Sequence, residues 1–321
     1  MNELKLRLRK LENLNIDGIV LFNYSVHDPN FFYFTNSEIN GTFFYDFSEP
    51  KLFVPEMELK QAKKSWVSDV IKIEKFEEIG KHISGRIGIN GNCVSFNGYQ
   101  KIKKLFRPID VSKKLEEIRS IKTPYEISQI AKACDETCKV YKKISPEISK
   151  SITELDLKII IDQKMSTSAF PTIVATDKNI AEPHHIPNNT KLGETVLMDF
   201  GVKHNGYCSD FSRTIGSKYE RIIDKVIQKT EGAIKPGVKT KNIDTLARKI
   251  LDNNQKFFIT SLGHGLGIEI HEKPWISKNS EDTFLPNMTF TIEPGLYIKN
   301  GIRTENTYMA TKNGVKNLTL T

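Results

Sequence analysis

Long apolar runs are missing from this 321-residue chain: none approaches the roughly 20 residues that a bilayer demands of a spanning helix. The opening MNELKLRLRK alternates charge with leucine and holds no hydrophobic stretch of the kind a secretory signal needs. Cysteine is equally scarce. The four present, Cys93, Cys134, Cys138 and Cys208, form no pattern of a secreted disulfide scaffold. Cys134 and Cys138 stand four apart on a predicted helix, but no second cysteine pair or neighbouring histidine completes a metal site, so a reduced, partly buried pair is expected. These absences point to a soluble cytoplasmic protein with no membrane partner.

Concentrated charge is also lacking. The formal net charge is +8, yet residues 1–120 carry 19 basic and 16 acidic side chains and the remainder 28 and 23, with no basic block in either part. A solvated, lysine-rich surface accounts for that excess, and nucleic acid is not an expected partner. No internal repeat or low-complexity segment interrupts the chain. Its length suits two domains.

Along the first third, a short helix is predicted over 3–13 and a buried strand from Ile16 to Phe22. Aromatic and β-branched segments recur at 31–35, 42–46, 51–54, 70–76 and 86–89, with helix-like stretches near 56–65 and 97–106. That alternation predicts a small α/β domain over 1–115, in which NFFYFTN serves core packing. The charged stretch 108–122 suits a linker. Thr123-Pro124 suits a helix start, with Ile127, Ile130 and Ala131 at helical spacing. Further helices are expected over 153–165, 218–234 and 242–254, the last two separated by Lys235-Pro236-Gly237, and a strand over 170–177.

The richest stretch is Glu194 to Gly216. Two runs of strand-forming residues, with Val196, Met198 and Phe200 apolar, flank Asn205-Gly206, a strong hairpin signal. Each arm carries one aspartate, Asp199 and Asp210. A four-residue loop sets them directly opposite; a two-residue loop makes them diagonal neighbours. Either register puts both carboxylates on one face. Opposed strand residues lie about 4.5–5.5 Å apart, so the two anions repel unless a cation sits between them or both face solvent. TFTIEPGLYI carries Glu293 and GIRTENTYMA carries Arg303 and Glu305, joined at Asn300-Gly301. A strict two-residue loop would put the two glutamates on opposite faces, whereas a three-residue loop, Lys299 to Gly301 with Gly301 left-handed, brings them to one face; that loop or an equivalent bulge is predicted. Histidines cluster nearby, with His184 and His185 in AEPHHIP and His264 and His271 in SLGHGLGIEIHEKPW. Four carboxylates match two divalent ions in charge, which bridging ligands hold about 3.5–4 Å apart around one hydroxide. Oxygen-rich ligation with a single nitrogen favours manganese, cobalt or iron and leaves zinc open. Asp199-Phe200-Gly201 spells a kinase motif with no catalytic or ATP loop beside it. Gly263, Gly265 and Gly267 imitate a dinucleotide fingerprint at the wrong spacing.

In order and context these motifs resemble the metal-dependent peptidases of pita-bread fold: methionine aminopeptidase, aminopeptidase P, prolidase and their metal-free relative creatinase. The resemblance spans about 115–321, and the N-terminal part resembles the smaller creatinase-type α/β domain of aminopeptidase P and prolidase. It implies an α/β (α+β) chain with domains 1–115 and 116–321, the second a pita-bread catalytic domain. It further implies that Asp199 chelates one metal, that Asp210 and Glu305 bridge two, and that His264 and Glu293 complete the second. His184 would meet the substrate near the scissile bond, His271 its carbonyl or oxyanion, and Arg303 would hold ligand carboxylates. Glu293 would also shuttle protons. The implied reaction is hydrolysis of Xaa-Pro bonds in proline-containing peptides by a metal-bridging hydroxide, in a homodimer with manganese or cobalt ahead of zinc or iron. An inactive pita-bread binding protein or chaperone, and a C–N hydrolase acting on a non-peptide substrate, are the competing readings. Neither accounts for a full ligand set. Three departures stand out: Asn306 where many relatives have aspartate, Trp275 where several prolidase-like members carry arginine, and Asp177 where glycine is frequent. The second favours longer peptides or an altered pocket. His185 and His204 are expected to be ordinary.

Overall fold

The structure, a computed structural model, describes residues 3–12 and 14–320. It divides into two compact units between Ile118 and Arg119. In the first unit, six strands form one mixed sheet: β1 (Gly18–Asn23), β2 (Gly41–Tyr45), β3 (Pro50–Val54), β4 (Asp69–Lys72), β5 (Arg86–Ile89) and β6 (Arg107–Asp110). Their spatial order is β4-β3-β2-β1-β5-β6. All six residues of β1 are buried, as expected of a central strand covered on both faces. Helices α1 (Glu3–Arg9), α2 (Pro29–Thr35), α3 (Leu59–Ala62), α4 (Phe96–Ile102) and α5 (Ser112–Ser120) complete this region. The predicted helix over 3–13 is shorter, and residue 13 lies outside the described residues.

Two expectations fail here for identifiable reasons. NFFYFTN is a helix rather than a strand. Asp28 accepts a hydrogen bond from the Asn30 amide as N-cap, Pro29 occupies the first turn, and Asn36 closes the C-terminus with φ 52°. These local caps outweigh the β preference of the aromatics. Every residue of α2 is buried, so no periodicity marked it as helical. The stretch 108–122 is no linker either: it contains part of β6 and all of α5, and the division between units falls within that helix.

The second unit holds α6 (Pro124–Ile144), α7 (Glu154–Lys164), β7 (Ile173–Thr176), β8 (Val196–Phe200), β9 (Lys203–His204), β10 (Tyr207–Cys208), β11 (Phe211–Ile215), α8 (Glu220–Ala233) and α9 (Thr240–Leu251). After these come β12 (Gly263–Gly265), β13 (Glu272–Ile276), β14 (Thr289–Ile292), β15 (Gly295–Leu296), β16 (Ile302–Arg303), β17 (Asn306–Ala310) and β18 (Val315–Asn317). Thr123 and Thr153 cap α6 and α7, each in a reciprocal capping box. One sheet, β11-β8-β7, packs on α6 and α7 through Val140, Ile144, Leu157 and Ile161 against Val174, Met198 and Phe200. The other, β13-β12-β14-β17-β18, packs on α8 and α9 through Ile223, Val226, Ile243 and Ala247 against Phe290 and Tyr308. Each sheet thus gives one face to a helix pair, and strand alternation leaves the opposite face for polar side chains. Among the described residues, no helix is long and apolar enough to cross a membrane.

Gly201 marks an interruption between the β8/β11 and β9/β10 ladders. A Cβ there would lie 1.9 Å from the Ser209 carbonyl oxygen, backbone that cannot swing aside. Gly201→Ala is therefore expected to cost about 1–3 kcal/mol of stability. Urea denaturation measures this, and a loss below about 0.5 kcal/mol, the level of a neutral surface change, would show that the strands separate freely.

Candidate active site

The first hairpin has a two-residue loop. His204 pairs with Tyr207 across Asn205-Gly206, which take φ 48° and 84° as the tight turn requires. The same register continues through the interruption, pairing Phe200 with Phe211 and Asp199 with Ser212. Asp210 and Asp199 are therefore diagonal neighbours on one face, the face turned away from α6 and α7.

In the second hairpin, Ile292 pairs with Asn306 and Gly295 with Arg303, so Glu293 lies directly opposite Glu305. The loop is odd, as the shared face demands, but its left-handed residue is Asn300 (φ 56°) rather than the expected Gly301. The Gly301 amide closes the turn by donating to the Ile298 carbonyl. An isolated bridge between Ser212 and Glu305, with the Glu305 amide donating to the Ser212 carbonyl at 3.0 Å, joins the two hairpins. This contact brings the two acid pairs together. His264 lies on β12, and Gly265 beside it is required because a Cβ there would meet the Lys273 carbonyl oxygen at 2.0 Å.

His184, Asp199, Asp210, His264, His271, Glu293, Arg303 and Glu305 all line one cavity of about 280 Å³. A larger cavity, about 420 Å³, lies in the first unit, but among its lining residues are one carboxylate, Glu74, and no histidine. The chemistry therefore marks the smaller one. Ligand atoms of Asp210, His264 and Glu305 lie within 4.8 Å of one another. His264 Nε2 is 3.3 Å from Glu293 Oε1 and 3.6 Å from Asp210 Oδ2. Its Nδ1 donates to the Gly265 carbonyl at 3.1 Å, which turns Nε2 toward the carboxylates.

Burial raises the Asp210 carboxyl well above its ordinary range, and the charge of Asp199 adds to that. Glu305 is raised strongly by burial and by Asp210. Asp199 is raised by burial against the pull of Arg303. For Glu293, burial acts upward, but the hydrogen bond and charge of His264 bring it below the usual value. Burial disfavours protonated His264, yet Glu293 and Asp210 lift it to about 9. His271, depressed to about 4 by burial and by His264, is a neutral imidazole at neutral pH. Two buried oxygens, Asp199 Oδ1 and Glu305 Oε1, have no hydrogen-bond partner. Anions repelling one another around unsatisfied oxygens are what divalent ions would neutralise, so the donor set fits such ions.

Arg303 is a clamp. One guanidinium nitrogen meets Asp199, Nε donates to Ser212 Oγ at 2.9 Å, and Nη1 donates to the Pro183 carbonyl at 3.0 Å. Ser212 Oγ in turn donates to Glu305 Oε2 at 3.0 Å. Ser212 and Tyr297, which also lines the cavity, were not singled out from sequence, although Ser212 shares the face of Asp210 two residues earlier. Asn306 accepts from Arg213 at 2.8 Å and donates to Tyr308. Asp177 adopts φ 47°, the conformation glycine takes without strain, and its carboxylate accepts from the Thr195 amide. His204 pairs with Glu136 away from the cavity. His185 is buried and turned from the cavity toward Glu154.

Residues 128–312 match metallopeptidase family M24, and residues 4–121 match the creatinase/prolidase N-terminal domain. An Xaa-Pro dipeptidase of Pyrococcus furiosus is 33% identical over 99% of each chain. A putative Xaa-Pro aminopeptidase of Mycoplasma genitalium is 33% identical over 89% of this chain and 88% of its own. The prolidase structure from Pyrococcus horikoshii OT3 superposes with a TM-score of 0.89 at 29% identity, covering 100% of this chain and 99% of that one.

Proposed function

The chain belongs to metallopeptidase family M24, a pita-bread domain behind a creatinase-type domain, and from that premise we propose that it hydrolyses Xaa-Pro peptide bonds with two divalent ions held by Asp199, Asp210, His264, Glu293 and Glu305. One observation carries the reading: the Ser212–Glu305 bridge gathers four carboxylates and one imidazole around a single cavity that leaves two buried carboxylate oxygens unsatisfied. The proposed domains are 1–115 and 116–321, a boundary three residues before the division between the two compact units. Manganese or cobalt suits the oxygen-rich set better than zinc.

Bound there, such ions supply Lewis-acid polarisation of the scissile carbonyl and a water acidic enough to attack near neutral pH. The protein's own groups do the rest. Arg303 fixes Asp199 and, through Ser212, Glu305, so that little reorganisation accompanies the reaction. Neutral His271 donates a hydrogen bond toward the carbonyl oxygen as it gains charge. Glu293 takes the proton of the attacking water and returns it toward the leaving nitrogen. His184, on the turn at the cavity wall, assists that nitrogen. Phe170, Ile173, Ile270, Trp275 and Tyr297 supply an apolar wall for the proline ring, whose tertiary amide offers no N–H to satisfy.

Among the cavity's lining residues Arg303 is the one arginine and there is no lysine, and Arg303 is committed to Asp199, Ser212 and Pro183. At the rim stands Trp275, 44% exposed and stacked on His271 at 6.4 Å. The C-terminal carboxylate of a dipeptide would find no free guanidinium there. On manganese- or cobalt-loaded protein, Xaa-Pro-Yaa peptides are therefore expected to be cleaved faster than Xaa-Pro. Trp275→Arg is expected to raise kcat/KM for the dipeptide about 10–100-fold relative to the tripeptide, the worth of one charge-assisted hydrogen bond. Efficient dipeptide cleavage by the unaltered protein would refute the length preference; no cleavage of either by the loaded protein would refute the peptidase reading.

A further inference from the structure

His184 occupies the third position of a turn closed by the His185 amide on the Glu182 carbonyl at 3.2 Å, with Pro183 at the second position. The segment 182–190 has little apolar surface to hold it: His185 alone is buried, and Ile186 is 82% exposed. Something else must fix the turn. His185 Nε2 is 2.8 Å from Glu154 Oε2, and its Nδ1 is 3.2 Å from Glu182 Oε2. Glu154 is fully buried in the first turn of α7, where the helix dipole favours its charge. Its carboxylate also accepts from the Thr176 amide at 2.8 Å, Asn179 Nδ2 at 2.8 Å and the Asn188 amide at 3.2 Å. The α7 backbone adds two bonds, from the Glu154 amide to Thr190 and from the Leu155 amide to Asn188. One buried carboxylate thus ties both limbs of the loop, 176–179 and 185–188, to a rigid helix. On the other side of His184, Arg303 holds the Pro183 carbonyl.

We propose that Glu154 and His185 are positioning residues for His184: a buried carboxylate–imidazole latch that presents the turn Glu182–His185 so that His184 faces the leaving nitrogen of the substrate. This assignment rests on the peptidase reading above. Neither Glu154 nor His185 lines the cavity. The turn they hold reaches it through His184 and through the Pro183 carbonyl on Arg303. Arg303 keeps its own bonds to Asp199 and Ser212, so loss of the latch should slow turnover without changing metal binding. His185→Leu leaves Glu154 without its imidazole partner, and Glu154→Gln turns an NH2 toward N–H groups that the carboxylate accepts from, whereas His185→Gln keeps a hydrogen-bonding side chain facing Glu154.

The test is a double-mutant cycle on the metal-loaded full-length protein with an Xaa-Pro-Yaa peptide. His185→Leu is expected to lower kcat about 10–100-fold, as loss of a supporting contact does elsewhere, with KM within about 2-fold and metal content unchanged. His185→Gln should restore part of kcat. In a His184→Ala background the same His185→Leu change should cost nothing further, because residues acting as a unit are not additive. Should His185→Leu not fold, Glu154→Gln carries the same cycle. Equal losses in both backgrounds, or a loss confined to KM, would overturn the latch while leaving the peptidase reading intact. An unaltered protein that cleaves no Xaa-Pro peptide at full metal loading would overturn that reading and the assignment with it.

Discussion

Asp210→Ala is expected to lower kcat/KM by at least about 10³-fold, roughly 4 kcal/mol of transition-state stabilisation, and to reduce bound metal below one ion per chain. Asp210 reaches both His264 and Glu305, so its removal opens the middle of the ligand set rather than one end. The backbone around it should survive. Thr307 Oγ1 receives the Asp210 amide at 3.3 Å and donates to the Asp210 carbonyl at 2.8 Å, a double clamp that does not involve the carboxylate. Without ions, the substitution should even raise the melting temperature, because it deletes one of several buried anions that repel one another. Lower activity with a more stable metal-free protein separates loss of a ligand from misfolding. Elemental analysis, steady-state kinetics and calorimetry on the same preparations decide it; two ions and undiminished turnover in the variant would remove Asp210 from the centre.

How far the sequence could lead depended on whether the determining interaction was local. The Asn205-Gly206 hairpin was legible because two adjacent residues dictate the turn, and the shared face of Asp199 and Asp210 follows from strand alternation in any even register. The common face of Glu293 and Glu305 was legible as a requirement, but not the residue that meets it: Asn300 takes the left-handed position, with its amide bonded to the Asp177 carbonyl from a distant loop. α2 was hidden by its own burial, β6 by the charged, exposed residues at its two ends, and α5 by its lysines and glutamates. Ser212 bridging to Glu305 and Glu154 reaching His185 are contacts across 93 and 31 residues. Neither has a periodic or spacing signature, so His185 looked like a bystander to His184. The cavity's lack of a free guanidinium is likewise a property of what Arg303 is bonded to, which no single position records.

Removing the metal should do more than stop catalysis: the melting temperatures of loaded and chelated protein should diverge as pH rises from about 5.5 to 8.5. In the metal-free protein, Asp210, Glu305 and Asp199 hold their protons to higher pH than they would unfolded. The folded state then binds more protons than the unfolded one above the ordinary carboxylate range, and stability falls as pH rises there. His264, raised to about 9 by Glu293, acts in the same direction, since its contribution is complete below the unfolded value near 6.5 and fades toward 9. Glu293 is lowered, so its contribution disappears only on the acid side, as pH drops through its depressed value. Divalent ions displace these protons, which makes binding tighter as pH rises and cancels the repulsion that destabilises the free site. At about 100 times the dissociation constant, binding adds about 2.7 kcal/mol, or roughly 4 °C for 321 residues unfolding together. Calorimetry with manganese and with EDTA across that range measures the gap. A separation that stays constant or narrows with pH would mean that the buried carboxylates are neutralised by something other than a bound cation, and the ligand set would have to be redrawn.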